Sequence, residues 1–356
     1  MKLLAAISHH GLGHLAQAAP VLNALGHLLP EHELTIWSGL PASALSGRIQ
    51  SPFRHRHEPA DMGLIMEDAL NVATSASHAA LLAFHRDWPT RLTGETAWLR
   101  AEGFGAVFSD IAYLPLAAAA QAGVPGLGLC SLNWRDIYAN YLSDRAGMDG
   151  LLADLEAAYG AAITFLRPTP AMPMAWLTNA EAIPPIACLG RNRRDELRER
   201  AGIPRGHRVI LVGFGGIAYT LLPPRLEGVA WLIPGPAPGT RPDVFSLDGT
   251  GLSFLDGLAS SDALMTKVGY GGFVEAAAHA IPVLYLDRPD WPETIHLARW
   301  LDLHGNTLAM SAADMKKDRL DELIARLLAQ PRKPPVRADG ADVAARRLTD
   351  LLTVIG

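Results

Sequence analysis

Ile7-Ser8-His9-His10-Gly11-Leu12-Gly13-His14 and Val212-Gly213-Phe214-Gly215-Gly216 follow one design, in which an apolar run stops abruptly in a glycine-rich turn. The apolar runs at 3–7 and 209–212 are short and bounded by glycine, as buried parallel strands are. Outward from the first turn, residues 15–28 read as a helix, 34–37 as a strand and 106–108 as another strand. Outward from the second, strands are expected at 230–233, 263–265 and 283–286. Strands that alternate with helices argue for a parallel sheet covered by helices, and here the plan occurs twice. In open sheets of this kind ligands bind at the carboxyl ends of the strands, so both glycine turns are candidate ligand sites, and two such sheets facing each other enclose a cleft.

The chain has 356 residues, 49% of them hydrophobic. Single cores stop growing at roughly 250 residues, so two are expected. Prolines 168, 170, 173, 184 and 185, followed by Arg191-Asn192-Arg193-Arg194-Asp195-Glu196, mark the connection between them. The expected division is a first domain at 1–185, a second at 186–340, and a tail at 341–356 whose amphipathic stretch closes back on the first domain. Between residues 41 and 100 the pattern loosens: Arg54-His55-Arg56-His57 reads as a basic loop, and Trp88 and Trp98 as packing residues on helices.

The 31 Lys and Arg against 36 Asp and Glu, with no long basic run, give a nucleic acid no electrostatic footprint. The two cysteines, Cys130 and Cys188, lie far apart, which argues against a disulfide framework or structural zinc and fits a reducing, cytoplasmic setting. Residues 111–134 carry no charge up to Trp134 and are long enough to suggest a membrane span. Pro115, Gln121, Gly123, Pro125 and Gly126 break that stretch up, so it reads as a buried helix at 116–122 and a strand at 126–130. No transmembrane segment is expected; peripheral membrane contact stays open.

Both turns match G-x-G-x-x-A, through Gly11, Gly13, Ala16 and Gly213, Gly215, Ala218. A dinucleotide site would also need an acid at the end of the next strand to hold the ribose, and the chain there reads Trp37-Ser38-Gly39 and Ile233-Pro234-Gly235. A dehydrogenase is therefore a distant alternative. A third segment, Thr266-Lys267-Val268-Gly269-Tyr270-Gly271-Gly272-Phe273-Val274-Glu275, follows another strand. Its glycines and helix start suit a diphosphate, with Lys267 adding charge and Glu275 accepting from ribose hydroxyls. The competing reading is a glycine turn with Lys267 and Glu275 paired on the surface.

The segment 267–275, followed by Ala280-Ile281-Pro282 and Arg288-Pro289-Asp290-Trp291-Pro292-Glu293, resembles the nucleotide-sugar signature of GT-B glycosyltransferases. It is most similar to the glycosyltransferase-like domain joined to L-arabinokinases and to its bacterial relatives. His10 to His14, Ser109-Asp110, Ser131-Leu132-Asn133-Trp134-Arg135-Asp136-Ile137-Tyr138 and Val212 to Gly216 resemble that family in the same order. The resemblance implies a GT-B α/β fold of two Rossmann-like, doubly wound parallel-sheet domains facing across a cleft. It implies a donor site at Gly215, Gly216, Lys267, Gly269, Tyr270, Gly271, Gly272, Glu275 and Glu293. Lys267 stands where many relatives carry a phosphate-contacting histidine, Tyr270 where plant members carry tryptophan, and Gln17 where an arginine is frequent.

The resemblance also places a transferase base at His14 and its orienting carboxylate at Asp110, a pairing suited to taking a hydroxyl proton near pH 7. The structural alternative is that both residues cap helices. Gly13, Asn133 and Trp134 are expected on the acceptor side. His10 and His14, four apart, raise metal ligation, but a glycine-rich turn between them and no carboxylate nearby in sequence argue for no metal. The implied activity is inverting sugar transfer from a UDP-linked donor to a hydroxyl acceptor, with no cofactor required. A nucleotide-sugar hydrolase and a non-catalytic nucleotide-sugar binding module are the alternatives.

Overall fold

The computed structural model describes residues 1–68, 70–214 and 223–354. The chain forms two compact units, one of residues 1–186 with 339–356 and the other of residues 187–338.

The first unit runs β1 (Lys2–Ile7), α1 (Leu12–Leu28), β2 (Glu33–Trp37), α2 (Ala42–Ser46), β3 (Phe53–Arg56), α3 (Thr74–His85), α4 (Trp88–Glu102), β4 (Ala106–Asp110), α5 (Tyr113–Ala122), β5 (Gly126–Leu129), α6 (Trp134–Leu142), α7 (Met148–Gly160), β6 (Thr164–Pro168) and β7 (Ala180–Ile183). Its seven strands are all parallel, in the order β3-β2-β1-β4-β5-β6-β7. Residues 3–7 of β1 are fully buried, as expected of a central strand covered on both faces.

The second unit runs α8 (Arg194–Ala201), β8 (Arg208–Gly213), β9 (Val229–Ile233), β10 (Val244–Ser246), α9 (Phe254–Ala259), β11 (Ala263–Lys267), α10 (Tyr270–Ala278), β12 (Val283–Leu286), α11 (Thr294–His304), β13 (Thr307–Met310) and α12 (Lys317–Leu328). Its six parallel strands are ordered β10-β9-β8-β11-β12-β13. One face of this sheet packs Ile210, Val212, Trp231, Met265 and Leu284 against Leu320, Leu323, Ile324 and Leu327 of α12. The last helix, α13 (Gly340–Val354), belongs to the first unit and packs on α1, with Ala344, Ala345, Leu348 and Leu352 buried.

Both sheets follow one rule. From the first strand of each, the chain builds outward to one side, then crosses back and builds to the other. The reversal lies between β1 and β4 in the first unit and between β8 and β11 in the second. Beside such a reversal the neighbouring connections leave in opposite directions and open a crevice at the strands' carboxyl ends.

Two expectations are corrected. Arg54-His55-Arg56-His57 is mostly strand: β3 pairs with β2 from Phe53 to Arg56 at the sheet's edge. A polar, partly exposed edge strand needs no apolar run, which is why hydrophobic patterning passes over it. Arg56 lies 4.1 Å from the Trp37 ring centre and 4.3 Å from that of Trp98, and donates to both oxygens of Glu95. The helix expected from residue 15 starts at Leu12, because Gly11, with φ 84°, makes the turn by itself.

His85 gives the first unit a pH dependence. Its ring stacks on Trp88 at 4.7 Å, and Nε2 meets the Tyr113 hydroxyl at 2.9 Å. Burial, aided by Arg91, pushes its pKa down to about 4. The fold accommodates the neutral ring, so this contribution is complete above pH 6.5 and is lost as pH falls through about 4. Urea denaturation should lose about 2 kcal/mol over that interval once solvent screening is allowed for. His85→Phe should flatten that part of the profile; parallel profiles for the two proteins would rule His85 out.

Candidate functional site

The reversal in the first sheet brings the end of β1 beside the end of β4, with Ile7 opposite Asp110. Past Ile7 the chain turns through Gly11 and enters α1, whose third residue is His14. Its Nδ1 lies 3.0 Å from Asp110 Oδ1, across 96 residues of sequence. The N–H donates to the carboxylate, and this leaves Nε2 with the ring's lone pair. Asp110 is fully buried and His14 is 6% exposed. Burial pushes the Asp110 pKa up to about 6 even though His14 and Cys130 pull it down. The next residue, Ile111, holds φ 69°, a conformation that costs a β-branched residue on the order of 1–3 kcal/mol. Its carbonyl is anchored by the Tyr159 hydroxyl at 2.7 Å.

Three residues to which the sequence assigned no part in this arrangement complete this end of the sheet. Cys130, just past β5, has Sγ 3.7 Å from His14 Nδ1. Gln17, one turn after Gly13 and His14 on α1, donates to Ser131 Oγ at 3.2 Å and accepts from the Ser131 amide at 3.1 Å, so it ties α1 to the end of β5. Asp61 is fully buried. It accepts from Ser8 Oγ at 3.0 Å and from Trp134 Nε1 at 2.7 Å, with His9 Nδ1 at 3.7 Å. Asp61 falls in the stretch where periodicity is weakest, and no local signal marks it.

The acceptor-side expectations fall as follows. Gly13 is exposed, and a Cβ placed there would meet open space. Asn133 caps α6 by accepting from the Asp136 amide at 2.8 Å, and Trp134 holds Asp61 and stacks on Tyr138. Both are fully buried and engaged within the protein. The Trp134 ring also lies edge-on to His10 at 5.2 Å and 5.9 Å from the His14 ring.

In the second sheet the reversal pairs Thr266 of β11 with Gly213 of β8, and Thr266 Oγ1 donates to the Gly213 carbonyl at 2.6 Å. A side chain at 213 would press on the Phe254 ring, which a Cβ would meet at 2.8 Å. Lys267 ends β11, Gly269 occupies the N-cap of α10, and Tyr270, Gly271 and Gly272 form its first turn. No side chain caps that helix and its first turn has no acid, so its leading amides and dipole suit an anion. Glu275, only 3% exposed, is not the surface residue that the competing reading required.

Beyond β12, Arg288 is 6% exposed and lies 4.3 Å over the Trp291 ring. Trp291 Nε1 donates to Glu293 Oε2 at 3.4 Å, and Glu293 precedes α11. Gly215 and Gly216 lie outside the described residues. A cavity of 580 Å³ lined by His207, Arg225, Pro242 and Lys317 opens at the other end of this sheet, where β8, β9 and β10 begin.

The absence of a carboxylate near His10 and His14 holds only along the sequence, since folding brings Asp110 and Cys130 to His14. The ligand atoms of these three residues lie within 4.8 Å of one another.

No family model matches the chain. The L-arabinokinase of Arabidopsis thaliana is 25% identical over 364 residues, covering 98% of this chain, which spans 34% of that protein's length. The calicheamicin glycosyltransferase superposes with a TM-score of 0.58 at 15% identity, covering 99% of this chain and 94% of that one. A Medicago truncatula enzyme solved with UDP-glucose gives 0.59 at 12% identity, covering 99% and 98%. A Phytolacca americana enzyme solved with UDP-2-fluoro-glucose and pterostilbene gives 0.58 at 13%, covering 99% and 94%. The fold is GT-B, and the resemblance to L-arabinokinase read from the sequence is borne out. Among the described residues no helix is long and apolar enough to cross a membrane.

Trp134→Phe removes the indole donor from buried Asp61 and leaves a carboxylate oxygen unsatisfied, which costs about 1–3 kcal/mol. Urea denaturation should show that loss. In Asp61→Asn the same substitution should cost less, and equal losses in the two backgrounds would show that the indole does not act through Asp61.

Proposed function

We propose that this chain is an inverting glycosyltransferase that moves a sugar from a UDP-linked donor to a hydroxyl acceptor. The observation that carries this reading is the buried His14–Asp110 pair at the strand reversal of a GT-B sheet. Asp110 holds the Nδ1 proton, so Nε2 carries the ring lone pair, which takes the proton of an acceptor hydroxyl. As that proton leaves, the acceptor oxygen forms a bond to the anomeric carbon. The bond from that carbon to the diphosphate breaks, and the electron pair leaves with the nucleotide. A single displacement inverts the anomeric centre. The imidazolium formed on His14 is stabilised by the Asp110 carboxylate.

The second unit supplies the leaving-group side. The amides at the start of α10, around Gly269, Tyr270, Gly271 and Gly272, receive the diphosphate, and Lys267 adds a positive charge. Glu275 and Glu293 accept from ribose and sugar hydroxyls, and the sequence resemblance assigns Gly215 and Gly216 to the donor as well. In the first unit, Gly13 leaves room for the acceptor beside His14, while Asn133 and Trp134 hold the floor behind it. The relatives solved with UDP-glucose and UDP-2-fluoro-glucose support UDP as the carrier. No cofactor takes part in this reaction, and the setting is cytoplasmic.

His14→Ala should lower turnover of UDP-glucose with a panel of hydroxyl acceptors by about 10²–10⁴-fold. Calorimetric UDP affinity should stay unchanged. Transfer at the wild-type rate would remove His14 as base, and release of free glucose without any acceptor would assign hydrolysis instead. Thermal shift against nucleotides gives a quick first check, since a ligand at 100 times its Kd adds about 2.7 kcal/mol of stability.

A further inference from the structure

The trio formed by His14, Asp110 and Cys130 has a geometry that proton transfer alone does not call for. The three side chains come from α1, the end of β4 and the residue after β5. Each is held by its own strand or helix: the Cys130 amide donates to the Leu166 carbonyl at 3.1 Å, and Gln17 Nε2 approaches Sγ at 3.8 Å. His14 Nδ1 stands 3.0 Å from Asp110 Oδ1 and 3.7 Å from Cys130 Sγ, and the three ligand atoms lie within 4.8 Å of one another. Tetrahedral zinc with ordinary bond lengths sets its nitrogen, oxygen and sulfur ligands roughly 3.4 to 3.6 Å apart. Shifts of a few tenths of an ångström therefore turn the nitrogen-to-oxygen and nitrogen-to-sulfur separations into coordination edges. The ligand types suit a borderline-soft cation and disfavour magnesium or calcium, which take oxygen.

We propose that His14, Asp110 and Cys130 form a binding site for a thiolate-seeking divalent cation such as Zn²⁺, and that its occupancy stops sugar transfer. When the cation binds, the Cys130 thiol proton leaves to solvent, and thiolate and carboxylate together balance the two positive charges. Three protein ligands leave a fourth position open. The imidazole must give its Nδ1 lone pair to the metal, so the ring proton moves to Nε2. That is the atom that accepts the acceptor's proton in the transferase reading, on which the inhibitory part rests. A metal on Nδ1 locks the ring in the tautomer that cannot act as base.

Cobalt(II), titrated into the purified chain as a spectroscopic stand-in for zinc, should give a thiolate charge-transfer band that saturates at one equivalent. Cys130→Ser should lose the band and weaken zinc binding about tenfold or more, while Cys188→Ser should keep both. No band, or one that survives in Cys130→Ser and vanishes in Cys188→Ser, would overturn the site. Should Cys130→Ser fail to fold, Asp110→Asn, with its thiol intact, should weaken zinc binding in the same way; unchanged affinity would overturn the site. In turnover of UDP-glucose, zinc should inhibit the wild type, a chelator should restore it, and Cys130→Ser should resist. Zinc bound at the trio without inhibition would overturn the switch. A wild type that binds zinc there yet transfers no sugar from any donor would overturn the transferase reading and leave the metal site standing.

Discussion

A parallel sheet forces every connection to return from one end of the strands to the other, and the side on which it returns decides what the carboxyl ends can hold. Where successive connections leave in the same direction, one helix covers the next. Where the order reverses, between β1 and β4 and between β8 and β11, the connections diverge from two adjacent strand ends. Every candidate group of the two sites among the described residues is placed by one of these reversals or by the elements beside it. Ile7 opposite Asp110 sets the start of α1, and so His14, beside a buried carboxylate. Gly213 opposite Thr266 sets the start of α10.

The same constraint is met by different chemistry in the two units. At the first reversal the crevice is lined by titratable side chains in a desolvated setting, and their behaviour depends on where protons sit. Burial favours neutral Asp110, His14 favours the carboxylate, and the balance falls near pH 6. A pair so balanced responds strongly to a charge arriving at His14. At the second reversal the groups on offer are mainly backbone amides made accessible by glycine, with Lys267 beside them. Such groups bind an anion without reorganising and take no part in proton traffic.

Much of the architecture was readable because central strands are buried on both faces and so carry unbroken apolar runs, as 3–7 and 209–212 do. The edge strand β3 was not readable, since a half-exposed strand of Arg and His has no such run. The β6 and β7 strands merged with the proline-rich connection for a related reason: β6 ends on Arg167 and Pro168, and the half-buried Glu181 interrupts the four residues of β7, so neither offers an unbroken apolar run. In the site, His14 and Asp110 could be named because one follows a strand and the other ends one, each at a recognisable motif. Asp61 could not, and the parts that Gln17 and Cys130 play could not, because they come from contacts across 53, 114 and 116 residues that no local pattern records.

A sugar nucleotide held where the second sheet reverses must touch the first turn of α10. Amide chemical-shift perturbation on isotope-labelled protein during UDP titration tests it most directly. The amides of Tyr270, Gly271 and Gly272 should move first and farthest, with Lys267 following. Shifts confined to the opposite end of the sheet, around His207, Val229 and Lys317, with the α10 amides unmoved, would contradict it.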